Sequence, residues 1–256
     1  MADTSRLKDV RIQSREDVRK AAEAFRDIAN EMMPCRIAAT HNIAVRQLMI
    51  DGDGDVLATE VFGWTTEDRW WRVPQLALAS PMPQACRFEA EPFWVSEAGF
   101  RTRCPNEWIG KIDLTDFEKR AFTRAAIVVP VHLPFGQIGA VSFNPNDRAK
   151  VDLSEEYEAY SDVLGMYSRV FISSYQRTMV KPERLPVTGS QLSKREVECL
   201  RWAAIGKTDH EIALILKRSR ATIRFHIHNA ATKLDALNRS QTVFKAAQLG
   251  FIGLNS

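Results

Sequence analysis

Arg220, Arg224 and His228, each four residues from the next, are the side chains of this 256-residue sequence best placed for chemistry. At 100° per residue they share one side of a helix, and long basic donors in a row suit hydrogen bonding to a polyanion. Lys207, Thr208 and Thr222 stand at the starts of helical runs, where backbone N–H groups and short donors can hold phosphates. Charge agrees: residues 191–256 carry 11 Lys or Arg against 5 Asp or Glu, a net +6, which leaves −3 for the rest of a chain whose total is +3. A basic segment beside a mildly acidic one is the footprint of a polyanion binder. Catalysis finds less support. His41, His132, His210, His226 and His228 form no Ser-His-Asp pattern, no glycine-rich phosphate loop is present, and Cys35, Cys86, Cys104 and Cys199 have neither zinc-ligand nor disulfide-framework spacing. We therefore expect no enzyme, no catalytic residue, no metal and no cofactor.

The elements that position the basic row can be read in order. Ser193 and Glu196 bracket a capping box ahead of Val197, Leu200, Ala203 and Ala204, and Gly206 ends that helix. Thr208 caps a second, short helix with Ile212, Ala213 and Leu216 on one edge, and Lys217 and Arg218 mark the turn. Ser219 caps a third helix in which Ile223, Ile227, Ala230 and Leu234 form the packed stripe, with His226 at its margin and Arg220, Arg224 and His228 opposite. A fourth helix, from about Ser240 to Leu249, is apolar at Val243, Phe244, Ala247 and Leu249. Two short helices and a tight turn, the second helix presenting basic side chains away from its core, have the geometry of a helix-turn-helix entering a DNA major groove.

These residues resemble the C-terminal DNA-binding domain of the LuxR-type transcription regulators. The matching features are the Leu-Ser-x-Arg-Glu start at 192–196, Leu200, Gly206-Lys207-Thr208, Glu211-Ile212-Ala213, Thr222 and Lys233-Leu234. The resemblance implies that Arg224 and His228 reach base edges, while Lys207, Thr208, Arg220 and Thr222 approach phosphates. It implies structural roles for Glu196, Leu200, Ile223 and Leu234.

Before this module the chain reads as a mixed α and β domain. Ser14 and Asp17 open a helix with Val18, Ala22, Phe25, Ile28, Ala29 and Met32 at helical spacing up to Pro34. The runs IAVRQLMI and DVLATEVF flank Asp51-Gly52-Asp53-Gly54, which predicts a hairpin. A calcium loop beginning at Asp51 would need Gly at 56 and Glu at 62, where the chain has Val56 and Phe62, so the turn reading prevails. Between Trp64 and Trp108 lie aromatic residues and prolines that suit either a core or the walls of an apolar ligand cavity. Thr115 is placed to cap a short helix with Phe117, Ala121 and Phe122. The runs AAIVVPVH and QIGAVSFN, joined by Leu133-Pro134-Phe135-Gly136, predict a second hairpin. Ser154 then opens a long helix with Tyr157, Tyr160, Leu164, Tyr167, Phe171 and Tyr175 on one side, suited to its own sheet or to a dimer contact. Residues 181–189, with Pro182, Pro186 and Gly189, read as a linker.

The element order, with Ser80-Pro81, Pro92-Phe93-Trp94 and VPVHLPFGQIGAVSF, again resembles the LuxR-type regulators. The implied fold class is α+β: an α/β/α sandwich around an antiparallel sheet, followed by an all-α four-helix helix-turn-helix domain. The implied division is a sensor and dimerisation domain at 1–178, a linker at 179–190 and a DNA-binding domain at 191–256. The candidate ligand residues are Trp64, Trp70, Trp71, Ser80, Phe93 and Trp94. Family members that bind acyl-homoserine lactones carry a Trp-x3-Tyr pair followed by Asp-Pro, but here Ser80 takes the Asp position, Trp71 the Tyr position and Glu67 the Trp position. Trp64 or Trp70 can shift into the Trp role, and Ala126 stands where many members have Gly. Three sensor readings follow: a lactone receptor, an orphan receptor for another small apolar molecule, and a ligand-independent dimerisation domain. We favour the orphan receptor over the lactone receptor, with a hydrolase fused to a DNA-binding module as an alternative of another class. Expected partners are double-stranded DNA bearing an inverted repeat and a second copy of the chain, with RNA polymerase a further candidate. No secretory signal or membrane span is read, which makes the cytoplasm the expected location.

Overall fold

The computed structural model describes residues 5–45, 47–65, 79–180 and 191–253. They fall into two compact units, one within Met1–Leu133 and Gln137–Lys181, the other within Pro134–Gly136 and Pro182–Ser256.

The first unit is built on a five-stranded sheet: β1 (Cys35–Thr40), β2 (Phe93–Ser96), β3 (Gly99–Arg101), β4 (Ala125–Leu133) and β5 (Gln137–Pro145). All neighbours pair antiparallel in the order β1-β5-β4-β2-β3. Strands β4 and β5 form the second of the two expected hairpins, turning through Phe135 and Gly136 at positive φ. Strand periodicity divides the side chains between two layers. Ala125, Ile127, Val129, Val131 and Leu133 of β4 share one apolar cluster, while Ala126 and Val128 belong to the other. Helices α1 (Val18–Met32), α2 (Phe117–Ala121) and α3 (Ser154–Met179) cover these layers, with α1 and α3 in the first cluster and α2 in the second. This is the α/β/α arrangement expected.

The aromatic stripe of α3 packs inside its own unit: Tyr157, Leu164, Tyr167, Phe171 and Tyr175 are all buried in the first cluster. The helix also crosses β5 closely. A Cβ at Gly139 would lie 2.6 Å from Ile172 Cγ2, so the approach requires glycine. The Tyr175 hydroxyl accepts from the Ile50 amide at 2.8 Å and donates to the Ile50 carbonyl at 3.1 Å, fixing the acidic loop to α3.

That loop departs from expectation. The flanking runs make only an isolated bridge, Ile50 to Val56, and Leu57–Glu60 is a short helix. The loop is closed by a side chain instead of a ladder: Asp51 Oδ1 accepts from the amides of Asp53, Gly54 and Asp55, and its Oδ2 from Arg19. Burial alone would raise the Asp51 carboxyl, but these donors outweigh it and hold it below its ordinary value. The strand that enters the sheet is β1, upstream of both runs. Helix α2 likewise starts after Asp116, in the left-handed region, and the Thr115 hydroxyl donates to Asp113 instead of capping it.

Helix α3 runs to Met179, so the expected linker begins at the helix end, and residues 181–190 of it lie outside the described residues. Among the described residues no helix is long and apolar enough to cross a membrane.

The second unit holds helices α4 (Lys194–Ala204), α5 (Asp209–Leu216), α6 (Arg220–Lys233) and α7 (Arg239–Gln248). Helix α6 is central to it, giving Ile223 and Ile227 to one apolar cluster and Ala230 to the other. Helix α7 is rolled relative to expectation. It buries Thr242 and Ala246, leaving Phe244 61% exposed and Ala247 exposed.

His41 is 3% exposed, lies 5.8 Å from the Tyr175 ring, and its Nδ1 has no hydrogen-bond partner among the described residues. Burial pushes its pKa below the ordinary value. On acidification the unfolded chain therefore takes the proton first. The stability that neutral His41 contributes is complete above a pH of about 6.5 and drains away as pH falls through the folded-state value. Thermal unfolding of the intact protein should show a falling Tm from about pH 7 to about pH 5.5, and His41→Phe should flatten that slope. An unchanged slope in the variant would assign the acid sensitivity to other groups.

Candidate nucleic-acid interface and apolar pocket

The helix-turn-helix geometry is set by caps. Ser193 and Thr208 each complete a capping box, with Glu196 and Glu211 respectively, and Ser219 accepts from the Thr222 amide at 3.1 Å. Between α5 and α6 the chain turns through Lys217 in the left-handed region, and the Arg218 amide donates back to the Ala213 carbonyl at 3.0 Å. Helix α6 is tied to α4 by a buried carboxylate: Lys233 Nζ donates to Glu196 Oε1 at 3.0 Å and Oε2 at 2.8 Å, and the Ser193 amide donates to Oε2 at 2.7 Å. Desolvation would raise the Glu196 carboxyl, yet Lys233 and Ser193 together hold it below its ordinary value.

With one stripe of α6 buried, Arg220, Arg224 and His228 are all exposed, and none of their side chains has a hydrogen bond or ion pair among the described residues. Phe225, 60% exposed, stands beside them. Arginine offers five donors in a planar fork, so these two guanidinium groups keep their full bonding capacity. The threonines are differently placed. The Thr208 hydroxyl donates to Glu211 and accepts from its amide, and Thr222 Oγ1 shares a hydrogen bond with Ser219, so both side chains are committed to caps. Lys207 is half-buried, 3.7 Å from Glu211.

Residues 190–246 match the family profile of the bacterial regulatory proteins, luxR family. This module is a luxR-family regulatory domain. Among curated relatives, the transcriptional activator protein VanR of Vibrio anguillarum is 36% identical over 132 residues, 50% of this chain and 52% of VanR. RpaR of Rhodopseudomonas palustris, an HTH-type quorum sensing-dependent transcriptional regulator, is 37% identical over 142 residues, 53% of this chain and 54% of RpaR. The chain thus spans about half the length of these relatives. A solved structure of Escherichia coli SdiA aligns with 97% of this chain and 95% of its own at 21% identity and a TM-score of 0.49.

The other candidate site is a cavity of about 150 Å³ in the first unit. Ala38, Thr40, Val128, Ala140, Ser142 and Asn144 from β1, β4 and β5 contribute its strand wall. Of the candidate ligand residues, Trp64 and Ser80 line it, and Phe93 and Trp94 do not. Phe93 is fully buried in the second apolar cluster and Trp94 packs in the first, because both sit on β2, flanked by β4 and β3. Trp70 and Trp71 lie outside the described residues. Trp64 spends its indole N–H on the Ile37 carbonyl at 2.7 Å. The Ser142 hydroxyl donates to Asn144 Oδ1 at 3.1 Å, and the Asn144 amide donates to the Ser142 and Arg36 carbonyls. By contrast, the Ser80 hydroxyl has no partner among the described residues. No carboxylate is found among the described lining residues.

Sequence reasoning missed Arg120. Its guanidinium lines the cavity and donates to Ala79 O, Asp113 O, Asp113 Oδ2 and Thr115 O, joining the chain before Ser80 to the loop before α2. An arginine inside FEKR looks like a solvated helix residue, and only the chain's path reveals its carbonyl partners.

Glu196→Ala should lower the stability of the intact protein by about 1–3 kcal/mol, through loss of the charged hydrogen bonds and the cap. Urea unfolding followed at the helical signal checks this, and a change below about 0.5 kcal/mol would deny the pair its structural role.

Proposed function

We propose that this chain is a sequence-specific DNA-binding transcription regulator of the LuxR type, acting as a homodimer in the cytoplasm. A sensor over 1–178 is joined by a linker at 179–190 to the DNA-binding domain at 191–256. The observation that carries this reading is the row Arg220, Arg224 and His228: exposed, uncommitted and aligned on the second helix of a capped helix-turn-helix. Arg224 and His228 read base edges, while Arg220 and Lys207, with the helix N-termini at Thr208 and Thr222, fix register on phosphates. Two modules then contact half-sites about one helical turn apart on an inverted repeat. RNA polymerase is a further partner of the DNA-bound dimer. The regulator names of VanR and RpaR support a non-enzymatic role.

Arg224→Ala should weaken operator binding by about 1–3 kcal/mol while leaving binding to random DNA nearly unchanged. Lys207→Ala should weaken both and reduce the salt slope by about one unit. The operator is first selected from a random duplex pool with the intact protein, and affinities are then measured across a salt series. Equal losses on both DNAs for Arg224→Ala would refute base reading.

For the sensor we infer an orphan receptor that takes a small, largely apolar molecule with a neutral polar group. The unpartnered Ser80 hydroxyl and the absence of a carboxylate among the described lining residues support this over lactone recognition. A neutral hydroxyl replaces the charge-assisted acceptor that holds a lactone amide, at about half the strength. Thermal unfolding of the protein from lactone-free cells, against a panel of acyl-homoserine lactones, should show no chain-length-dependent rise. A rise of several degrees at about 100 times Kd, worth ~2.7 kcal/mol, would restore the lactone reading.

A further inference from the structure

A second cavity, of about 240 Å³, opens in the first unit between Arg36, Glu118, Phe122 to Arg124, Pro145, Asp147, Arg148 and Lys150. Its charged lining is four cations, Arg36, Arg124, Arg148 and Lys150, against two carboxylates, Glu118 and Asp147. The lining carboxylates offset half of that charge. Asp147 Oδ1 is turned to the Ala149 amide, and Glu118 reaches Arg124 Nε only at 3.8 Å. Lys150 pairs with Glu156, outside the lining. Arg148 has no ion pair among the described residues. The Arg36 guanidinium lies over the Trp64 ring, 4.4 Å from its centroid.

Like charges brought around one concavity repel, and the cost falls when an anion sits among them. The backbone also accepts strain to make this wall. Phe122 ends α2 at φ 57°, a conformation unfavourable for a bulky residue, and the following residues Thr123 and Arg124 line the cleft. Glycine or asparagine is the usual residue at such a helix end. A volume of this size far exceeds the ~10–15 Å³ that holds one water, and guanidinium forks match the paired oxygens of a phosphate.

We propose that this cleft is an anion site of the first unit, taking a small phosphate-bearing ligand on Arg124, Arg148 and Lys150. It is a different cavity from the apolar pocket, although Phe122 lines both. It does not rest on the DNA-binding reading.

Isothermal titration of the intact protein with sodium pyrophosphate, at constant ionic strength set with chloride, tests the site. Wild type should bind saturably with one equivalent per chain, and Arg124→Gln/Arg148→Gln should bind at least about tenfold more weakly. Arg224→Ala should bind as wild type does, which separates the cleft from the basic face of α6. Both cleft arginines are exposed, so the double variant should keep the wild-type Tm; the single variant Arg148→Glu, at a residue without an ion pair, gives the same weakening should the pair of changes perturb folding. Undiminished binding to the cleft variants, or heats that scale with added salt and never saturate, would overturn the proposal. Co-sedimentation with phosphatidylcholine vesicles containing phosphatidic acid, lost in the double variant, would make a lipid headgroup the source; no co-sedimentation beside saturable pyrophosphate binding would make it a free phosphate compound.

Discussion

The central hairpin of the first unit is out of water on both faces, and every other element there answers to that constraint. Of the nine residues of β4, all but His132 are buried, and the last five of β5 are buried too. Backbone groups in such strands find partners only in neighbouring strands, so β1 and β2 must flank the hairpin. The side chains need two apolar covers. Helices α1 and α3 supply one, with Phe25 stacked on Phe171 at a 5.0 Å centroid distance. The other cover is thinner, built from α2 and short segments. It is on this side that Ala38, Ala140 and Ser142 meet a cavity, where small side chains leave space that no large one fills. The pocket is thus a consequence of asymmetric covering of one sheet.

In the second unit the organising interaction is the burial of one stripe of α6. Ile223, Ile227 and Ala230 can occupy the core only if Arg220, Arg224 and His228 point away from it. Capping holds the ends of the short helices, which would be marginal in isolation. The basic row is therefore presented to solvent by the packing of the opposite stripe.

Elements whose pattern is local were legible in the sequence. Ser193 with Glu196 forms the capping box that its spacing implies, Thr208 caps its helix as read, and the β4–β5 hairpin follows from two apolar runs around Leu133-Pro134-Phe135-Gly136. Failures came where a side-chain bond or a packing contact outside the apolar pattern decided. DVLATEVF has strand composition, but Asp51 closes the preceding loop with its own carboxylate and Leu57 starts a helical turn. Phe93 and Trp94 have the composition of a pocket wall, yet the sheet turns them into its two cores. Periodicity also misjudged α7, where Thr242 is buried because its hydroxyl donates to the Asn238 carbonyl, while Phe244 remains in solvent. Arg120 and the cationic cleft were invisible because their members come from segments far apart in the chain.

The register of the sheet has a temporal consequence. Cys35 of β1 pairs with Pro145 of β5. At ribosomal rates of about 5–20 residues per second, β1 waits roughly 5–20 s after emerging before its neighbour exists. During that interval it is an unpaired strand edge carrying Cys35 and Ile37, the kind of surface that chaperones shield and that associates with other chains. The cavity wall drawn from β1 and β5 is completed at the same late moment, so the cavity has no counterpart in the nascent chain until β5 closes the sheet.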